Sequence, residues 1–270
     1  MAYSKDRAKF GQNFLVKGKT VRKLVKQAGY TKKDHIIEIG PGDGAITREL
    51  AQVSGRVTAV EVDRKLIPNL SQSLAEFDNI KIENGDFLRY KLPKTPFSIF
   101  ANIPFNLTAP IMQKLLWDAR CPQNVYFIMQ KEAVDKFVGR PASTESSVHF
   151  QPWFEFKNVA HINKFEFRPV PSIDAALIHM HKRDRPLLDA KHKKAYTQFV
   201  SHGFRSWKKN LKIGYKHVFS YAQWKRLAKD NKFSVEAMPS QLSLAQWIAV
   251  FNYFQIGVPE DKKRLVLKAK

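Results

Sequence analysis

The stretch His35-Ile36-Ile37-Glu38-Ile39-Gly40-Pro41-Gly42-Asp43-Gly44-Ala45-Ile46-Thr47-Arg48-Glu49-Leu50 decides how this chain is read. His35 to Ile39 is a short β-rich run, and a helix-like stretch, Ala45 to Gln52, begins directly after the last glycine. The glycines between them allow a tight turn and let a ligand approach the backbone closely. The alternation continues outward from there. Val57 to Val62 predicts a second strand. Arg64 to Phe77 predicts a helix with Leu66, Ile67, Leu70, Leu74 and Phe77 on one face. Ile80 to Ile82 and Ser98 to Ala101 predict two more strands, Ala109 to Trp117 a helix, and Asn124 to Gln130 a fifth strand. Strands alternating with helices imply an α/β domain, a parallel sheet covered on both faces.

Two later runs, Phe154 to Ile162 and Ala175 to His181, have no long helix between them and suit an antiparallel pair at the sheet edge. The Pro169 and Pro171 pair forces an extended path in the connection. The charged stretch His181 to Pro186 marks a boundary, which places domains at 1–181 and 182–270. Beyond it Tyr196, Phe199, Val200, Phe204, Trp207 and Leu211 recur at three- and four-residue steps, and Leu244, Trp247, Ile248, Phe251 and Phe254 repeat the pattern. This predicts a small all-helical C-terminal domain, with these aromatic residues as its core. The polar, basic tail from Val258 is expected to be disordered.

Charge is distributed unevenly along the 270 residues, whose net is +22. Residues 1–33 carry +9, residues 34–180 carry −1 and residues 181–270 carry +14. Basic flanks on a neutral body attract a polyphosphate backbone through counterion release. Lys208, Lys209 and Lys212 are the residues expected to contact phosphate. No stretch is apolar for the length a bilayer helix needs, so no membrane partner is expected. The charged start, Met1 to Phe10, shows no secretory signal, and the single cysteine, Cys121, cannot form an internal disulfide. A cytoplasmic monomer is expected. The eight histidines show no metal-ligand spacing, so no metal is expected, and His179 and His181 read as a strand-end pair.

Glu61 ends the second strand, 21 residues after Gly40, where an acid is placed to bond ribose hydroxyls. Alone, this suits NAD as well as S-adenosylmethionine. The G-x-G-x-G spacing favours the latter, as does a second acid, Asp86, just after the third strand. Asp86 can accept a hydrogen bond from an adenine amine, with Phe87 or Val62 packing on the ring. Gly40, Gly42, Glu61, Val62, Asp86 and Phe87 are therefore candidate cofactor-binding residues.

Asn102-Ile103-Pro104-Phe105 follows the fourth strand, at the carboxyl edge where such sheets bind ligands. An exocyclic amine is a poor nucleophile because its lone pair is delocalised into the ring. Carboxamide and backbone carbonyl oxygens can accept its hydrogens and localise that pair. Proline fixes the backbone for this, and an aromatic ring stacks on a base held out of its helix.

Taken in order, Phe10-Gly11-Gln12-Asn13-Phe14-Leu15, Ile39 to Gly44, Glu61-Val62-Asp63, Gly85-Asp86, Asn102 to Phe105 and Phe167-Arg168-Pro169-Val170-Pro171-Ser172 resemble the motifs of ribosomal RNA adenine N6-methyltransferases. The resemblance spans about residues 9–181. It implies a class I (Rossmann-like) methyltransferase sheet, S-adenosyl-L-methionine as cofactor and ribosomal RNA as substrate. It further implies that Asn13, Leu15, Gly40, Glu61, Asp86 and Asn102 hold the cofactor, with Gln12 beside its amino-acid end, and that Asn102 and Phe105 hold the target adenine. Most relatives carry Tyr where this chain has Phe105, which keeps stacking and loses a hydroxyl. Ile103 and the stretch Leu242 to Phe251 resemble the erythromycin-resistance (Erm) branch, which acts on 23S ribosomal RNA. That branch implies macrolide, lincosamide and streptogramin B resistance. The alternatives are the 16S dimethyladenosine transferases and a non-catalytic RNA-binding factor on the same fold.

Overall fold

The computed structural model describes residues 14–15, 17–118, 120–205 and 210–267, with Phe105 described by its backbone only. Nine strands are formed among them: β1 Phe14–Leu15, β2 His35–Ile39, β3 Arg56–Glu61, β4 Ile80–Asn84, β5 Ser98–Asn102, β6 Asn124–Gln130, β7 Phe154–Ile162, β8 Phe167–Arg168 and β9 Ala175–Lys182. Seven make one sheet in the order β4-β3-β2-β5-β6-β9-β7. The ladders from β4 through β6 are parallel, and β9 runs antiparallel to β6. The centre of the sheet is buried on both faces: Ile36, Ile37, Val57, Ile99, Phe100, Phe127 and Ile128 are at 0% exposure. Near-continuous apolar runs are what strands covered on both sides require. The two late runs are hydrogen-bonded neighbours at that edge, β9 lying inside β7.

The first unit, residues 1–134 and 155–182, also carries helices α1 Gly18–Gln27, α2 Ala45–Val53, α3 Ile67–Ser73 and α4 Thr108–Trp117. The expected helix from 64 to 77 is shorter. Asp63 accepts a hydrogen bond from Lys65 N and starts a single 3₁₀ turn, and α3 begins afresh with Pro68 in its first turn. Pro68 has no amide to donate and suits that position. β1 and β8 pair antiparallel in a two-stranded ribbon of their own.

The second unit comprises residues 135–154 and 183–270. Its boundary after residue 182 lies next to the expected one, but it also takes in a segment the sequence reading had left in the first domain. Helix α5 Lys131–Val138 leads into this segment and α6 Glu145–Phe150 lies within it, α6 opening on a Thr144–Ser147 capping box. Glu145 and His149 meet α7 (Lys193–Arg205) at Ser201, whose Oγ donates to Glu145 Oε1 at 2.6 Å and lies 3.2 Å from His149 Nε2. Trp153 donates to the Leu188 carbonyl at 2.8 Å and meets Tyr196 edge-on. Helices α8 Leu211–Gly214, α9 Tyr221–Asp230, α10 Leu244–Gly257 and α11 Glu260–Lys263 complete it.

The aromatic stripe forms the core of this unit. Tyr196, Phe199, Trp247, Phe251 and Phe254 are fully buried, and Phe204 stacks on Trp247; Trp207 lies outside the described residues. Within the tail, Val258 and Val266 are buried on either side of α11, and Lys263 donates to the Gln255 carbonyl at 2.6 Å.

Candidate active site

The turn after β2 is built on three left-handed residues, Gly40 (φ 64°), Gly42 (φ 60°) and Gly44 (φ 84°). Gly40 N donates to Val60 O and Gly44 N to Pro41 O, both at 2.9 Å. A Cβ on Gly42 would lie 2.4 Å from the Phe14 ring, so both conformation and space demand glycine. Glu61, at the end of β3, is fully buried. Its Oε2 accepts from Gly42 N at 3.2 Å and its Oε1 from Asp63 N at 2.8 Å. The carboxylate is thereby fixed between the glycine turn and the loop after β3.

Asp86 follows β4 and is exposed; its Oδ1 accepts from Leu88 N at 2.8 Å, which shapes the turn that presents it. Of the two residues considered for packing on an adenine ring, Val62 is 53% exposed, whereas Phe87 is 5% exposed, stacked on Tyr90 with the Lys114 ammonium 5.7 Å from its ring centre.

Asn102 closes β5, half-buried. Ile103 is buried and its N donates to Ile128 O at 3.2 Å. Pro104 (φ −58°, ψ 132°) turns the chain into a 3₁₀ turn, Phe105–Leu107, closed by Leu107 N to Pro104 O at 2.9 Å. β2 and β5 are parallel neighbours with Glu38 opposite Phe100. Two residues further along each strand stand Gly40 and Asn102, so the two turns leave the same sheet edge side by side.

Leu15 is buried and pairs with Phe167, and Phe14 pairs with Arg168. The ribbon thus ties the proline-rich loop to the glycine turn through Phe14. Gln12 and Asn13, and likewise Lys208 and Lys209, lie outside the described residues. Lys212 is half-buried and ion-paired with Glu236, which also accepts from Asn210. A pair this open to solvent is weak and exchanges readily for another anion.

One buried residue here is not among the sequence candidates. Glu38, on β2, is 1% exposed. Burial pushes its carboxyl up to about 8; the Thr47 hydroxyl opposes this, and Asp43 and Glu61 add to it. Neither Glu38 Oε2 nor Thr47 Oγ1 has a well-formed hydrogen-bond partner among the described residues. An acid within a run of isoleucines is the clue that was available. Elsewhere, His179 and His181 both bond Asn124 Oδ1 at 2.9 Å, and His179 stacks on Tyr126, as a strand-end pair does. No group of three or more potential metal ligands occurs among the described residues.

The sequence pattern of ribosomal RNA adenine dimethylases matches residues 3–256. A relative from Bacillus licheniformis, an rRNA adenine N-6-methyltransferase, is 31% identical over 244 residues, covering 90% of this chain and 85% of its own. A ribosomal RNA small subunit methyltransferase A from Listeria monocytogenes is 33% identical over 215 residues, covering 74% and 72%. Among solved structures, the 23S rRNA methyltransferase ErmE superposes with a TM-score of 0.80 at 27% identity, over 90% of this chain and 100% of that one. A dimethyladenosine transferase from Plasmodium falciparum gives 0.75 at 18% identity, over 91% and 98%, a likeness of fold.

Proposed function

The chain belongs to the ribosomal RNA adenine dimethylase family, and from that premise we propose that it methylates the N6 amine of an adenine in 23S ribosomal RNA. It is an S-adenosylmethionine-dependent rRNA adenine N6-methyltransferase with a Rossmann-like sheet. The observation that supports the 23S assignment is the degree of structural likeness: ErmE superposes with a TM-score of 0.80 at 27% identity, against 0.75 at 18% for the dimethyladenosine transferase over a similar share of the chain. The 33% identity of the small-subunit relative keeps the 16S substrate as the second reading.

When bound, the cofactor supplies an electrophilic methyl on a sulfonium. The residues present fit it: among the described residues beyond its chain neighbours, nothing lies within 4 Å of where a Cβ on Gly40 would stand, so a ligand can approach the backbone there, and Glu61 is held as an acceptor beside the turn. Gly40 and Gly42 would let its chain pass close to backbone. Glu61 would accept from the ribose hydroxyls, Asp86 from the adenine amine, and Val62 would cover the ring. Leu15 adds a buried wall, with Gln12 and Asn13 contributing as the family resemblance implies. On the RNA side the Asn102 carboxamide oxygen and the carbonyl that Ile103-Pro104 orients would accept the target amine's hydrogens. This would turn its lone pair toward the methyl, the thioether being the leaving group, and the proton the amine must lose would be held at the Asn102 carboxamide oxygen until it passes to solvent. Phe105 would stack on the base. Positioning and electrostatics carry such a displacement. The basic Lys208, Lys209 and Lys212 would hold phosphate. Methylation of that adenine removes hydrogen-bond donors and fills space in a drug site, which gives macrolide, lincosamide and streptogramin B resistance.

The test is transfer of labelled methyl from S-adenosylmethionine to separated 23S and 16S ribosomal RNA, with nucleoside analysis. Label in 23S as N6-methyl- or N6,N6-dimethyladenosine is expected. Label confined to 16S moves the chain to the housekeeping reaction, and no label in either leaves the non-catalytic binding factor.

A further inference from the structure

The loop of residues 163–174 joins β7 to β9 and meets the sheet at the same edge as Asn102. The register fixes this: Asn102 stands opposite Ile128, and Ala175, which opens β9, stands opposite Gln130. The loop is anchored along its length. Asp174 accepts from Lys164 N at 2.9 Å and pairs with His161 at 3.0 Å, and Lys131 N donates to the Asp174 carbonyl at 3.1 Å. Asn163 accepts from Phe165 N at 3.0 Å. Glu166 accepts from Lys17 at 2.9 Å and from Thr20 at 2.7 Å, and β8 is paired with β1.

On this rigid support the Phe165 ring stands 60% exposed, with the Lys164 ammonium 5.5 Å from its centre. Val170 on the same loop is 41% exposed. Phe167, two residues on from Phe165, is buried and holds the loop to Leu15. Phe165 is therefore not what fastens the loop. An open π face offered on a fixed backbone, with a cation beside it, suits a nucleobase and its phosphate, and a chain of net charge +22 selects a polyanion.

We propose that Phe165 is a stacking platform for an unpaired RNA base flanking the target adenine, with Lys164 holding the adjoining phosphate. This rests on ribosomal RNA being the substrate. The residue sets RNA affinity and register and takes no part in methyl transfer. Fixed aromatics lose little entropy on stacking, and a stacked base contributes a factor of about 5 to 100 in affinity.

The experiment measures steady-state methyl transfer to protein-free 23S and 16S ribosomal RNA, and anisotropy binding of the same RNAs, for the full chain and for Phe165→Ala, Phe165→Leu, Phe165→Trp and Lys164→Gln. Phe165→Ala and Phe165→Leu should raise KM for RNA about 5- to 100-fold with kcat, S-adenosylmethionine affinity and thermal midpoint unchanged, and Phe165→Trp should restore it. Lys164→Gln should flatten the slope of log Kd against log salt by about one contact. An unchanged KM in Phe165→Ala overturns the proposal. So does recovery by Phe165→Leu, or a loss of thermal midpoint that tracks the loss of binding, since each marks an apolar packing role. If the unaltered chain methylates neither RNA, the functional reading fails separately, and anisotropy still decides the platform: equal binding by Phe165→Ala rejects it.

Discussion

The Phe14 ring occupies the place that any side chain at Gly42 would have to take. Phe14 belongs to the ribbon that also holds the proline-rich loop, so the glycine turn is shaped partly by Phe167 and Arg168, far downstream of it in the chain. Gly42→Ala would put its Cβ 2.4 Å from the Phe14 ring, on a backbone at φ 60°. The left-handed conformation alone disfavours alanine by about 1–2 kcal/mol. S-adenosylmethionine binding, followed by calorimetry, should weaken about tenfold or more; an unchanged Kd would remove the turn from the cofactor site.

Asn102→Ala separates chemistry from binding. The carboxamide lies at the end of β5 in a chain whose basic flanks carry the charge. Turnover should fall about 100- to 1,000-fold, as for loss of one oriented polar group at a reacting centre. RNA affinity by anisotropy should hold. A variant that methylates at the normal rate would rule out the proposed role.

Glu38→Gln should change how stability depends on pH. Below pH 4.5 the carboxyl is protonated in folded and unfolded chains alike. As pH rises the unfolded chain releases its proton while the folded chain keeps it until about 8. Folding therefore loses free energy across that window, of the order of a few kcal/mol when complete. Glutamine has no proton to lose there. Urea midpoints of the cofactor-free proteins should diverge in favour of Glu38→Gln between pH 5 and 8, and parallel curves would show that Glu38 is charged.

Gly203→Ala tests the packing of α7 on α10. The added Cβ would lie 2.6 Å from Trp247 Cη2 and 3.0 Å from the Tyr215 hydroxyl, which donates to the Phe199 carbonyl at 2.6 Å. Alanine gains about 1 kcal/mol in helix propensity. Overpacking against a fully buried indole costs about 1–3 kcal/mol. The clash should win, so the thermal midpoint should fall; a rise would mean that Trp247 gives way freely.

The parallel sheet covered by helices, and the placing of the glycine turn and of Asn102 at strand ends, follow from local signals, apolar runs closed by glycines, acids and proline; the strand order does not. What escaped were features set by distant partners. Val62 and Phe87 look equivalent as apolar residues beside acids, and only its contacts with Tyr90 and Lys114 distinguish the buried Phe87 from the exposed Val62. Glu38 sits in a run that reads as plain strand, and its burial depends on the helix bearing Thr47. The segment 135–154 joins the C-terminal helices through contacts such as Glu145 with Ser201, 56 positions apart. Nothing local says which body helix α6 serves.

That returning segment has a consequence for how such enzymes can be cut and recombined. The chain enters the second unit, comes back to lay down β7 and β9, and enters it again, so three covalent crossings join the two bodies. Deleting everything after residue 182 would strand α6, Phe150 and Trp153 without the helix they pack on, and would expose an aromatic face on what remained. The second unit is therefore not a detachable tail. Exchanging it between relatives requires three splice sites moved together, and a protease nick between residues 134 and 155 should leave the two units still joined.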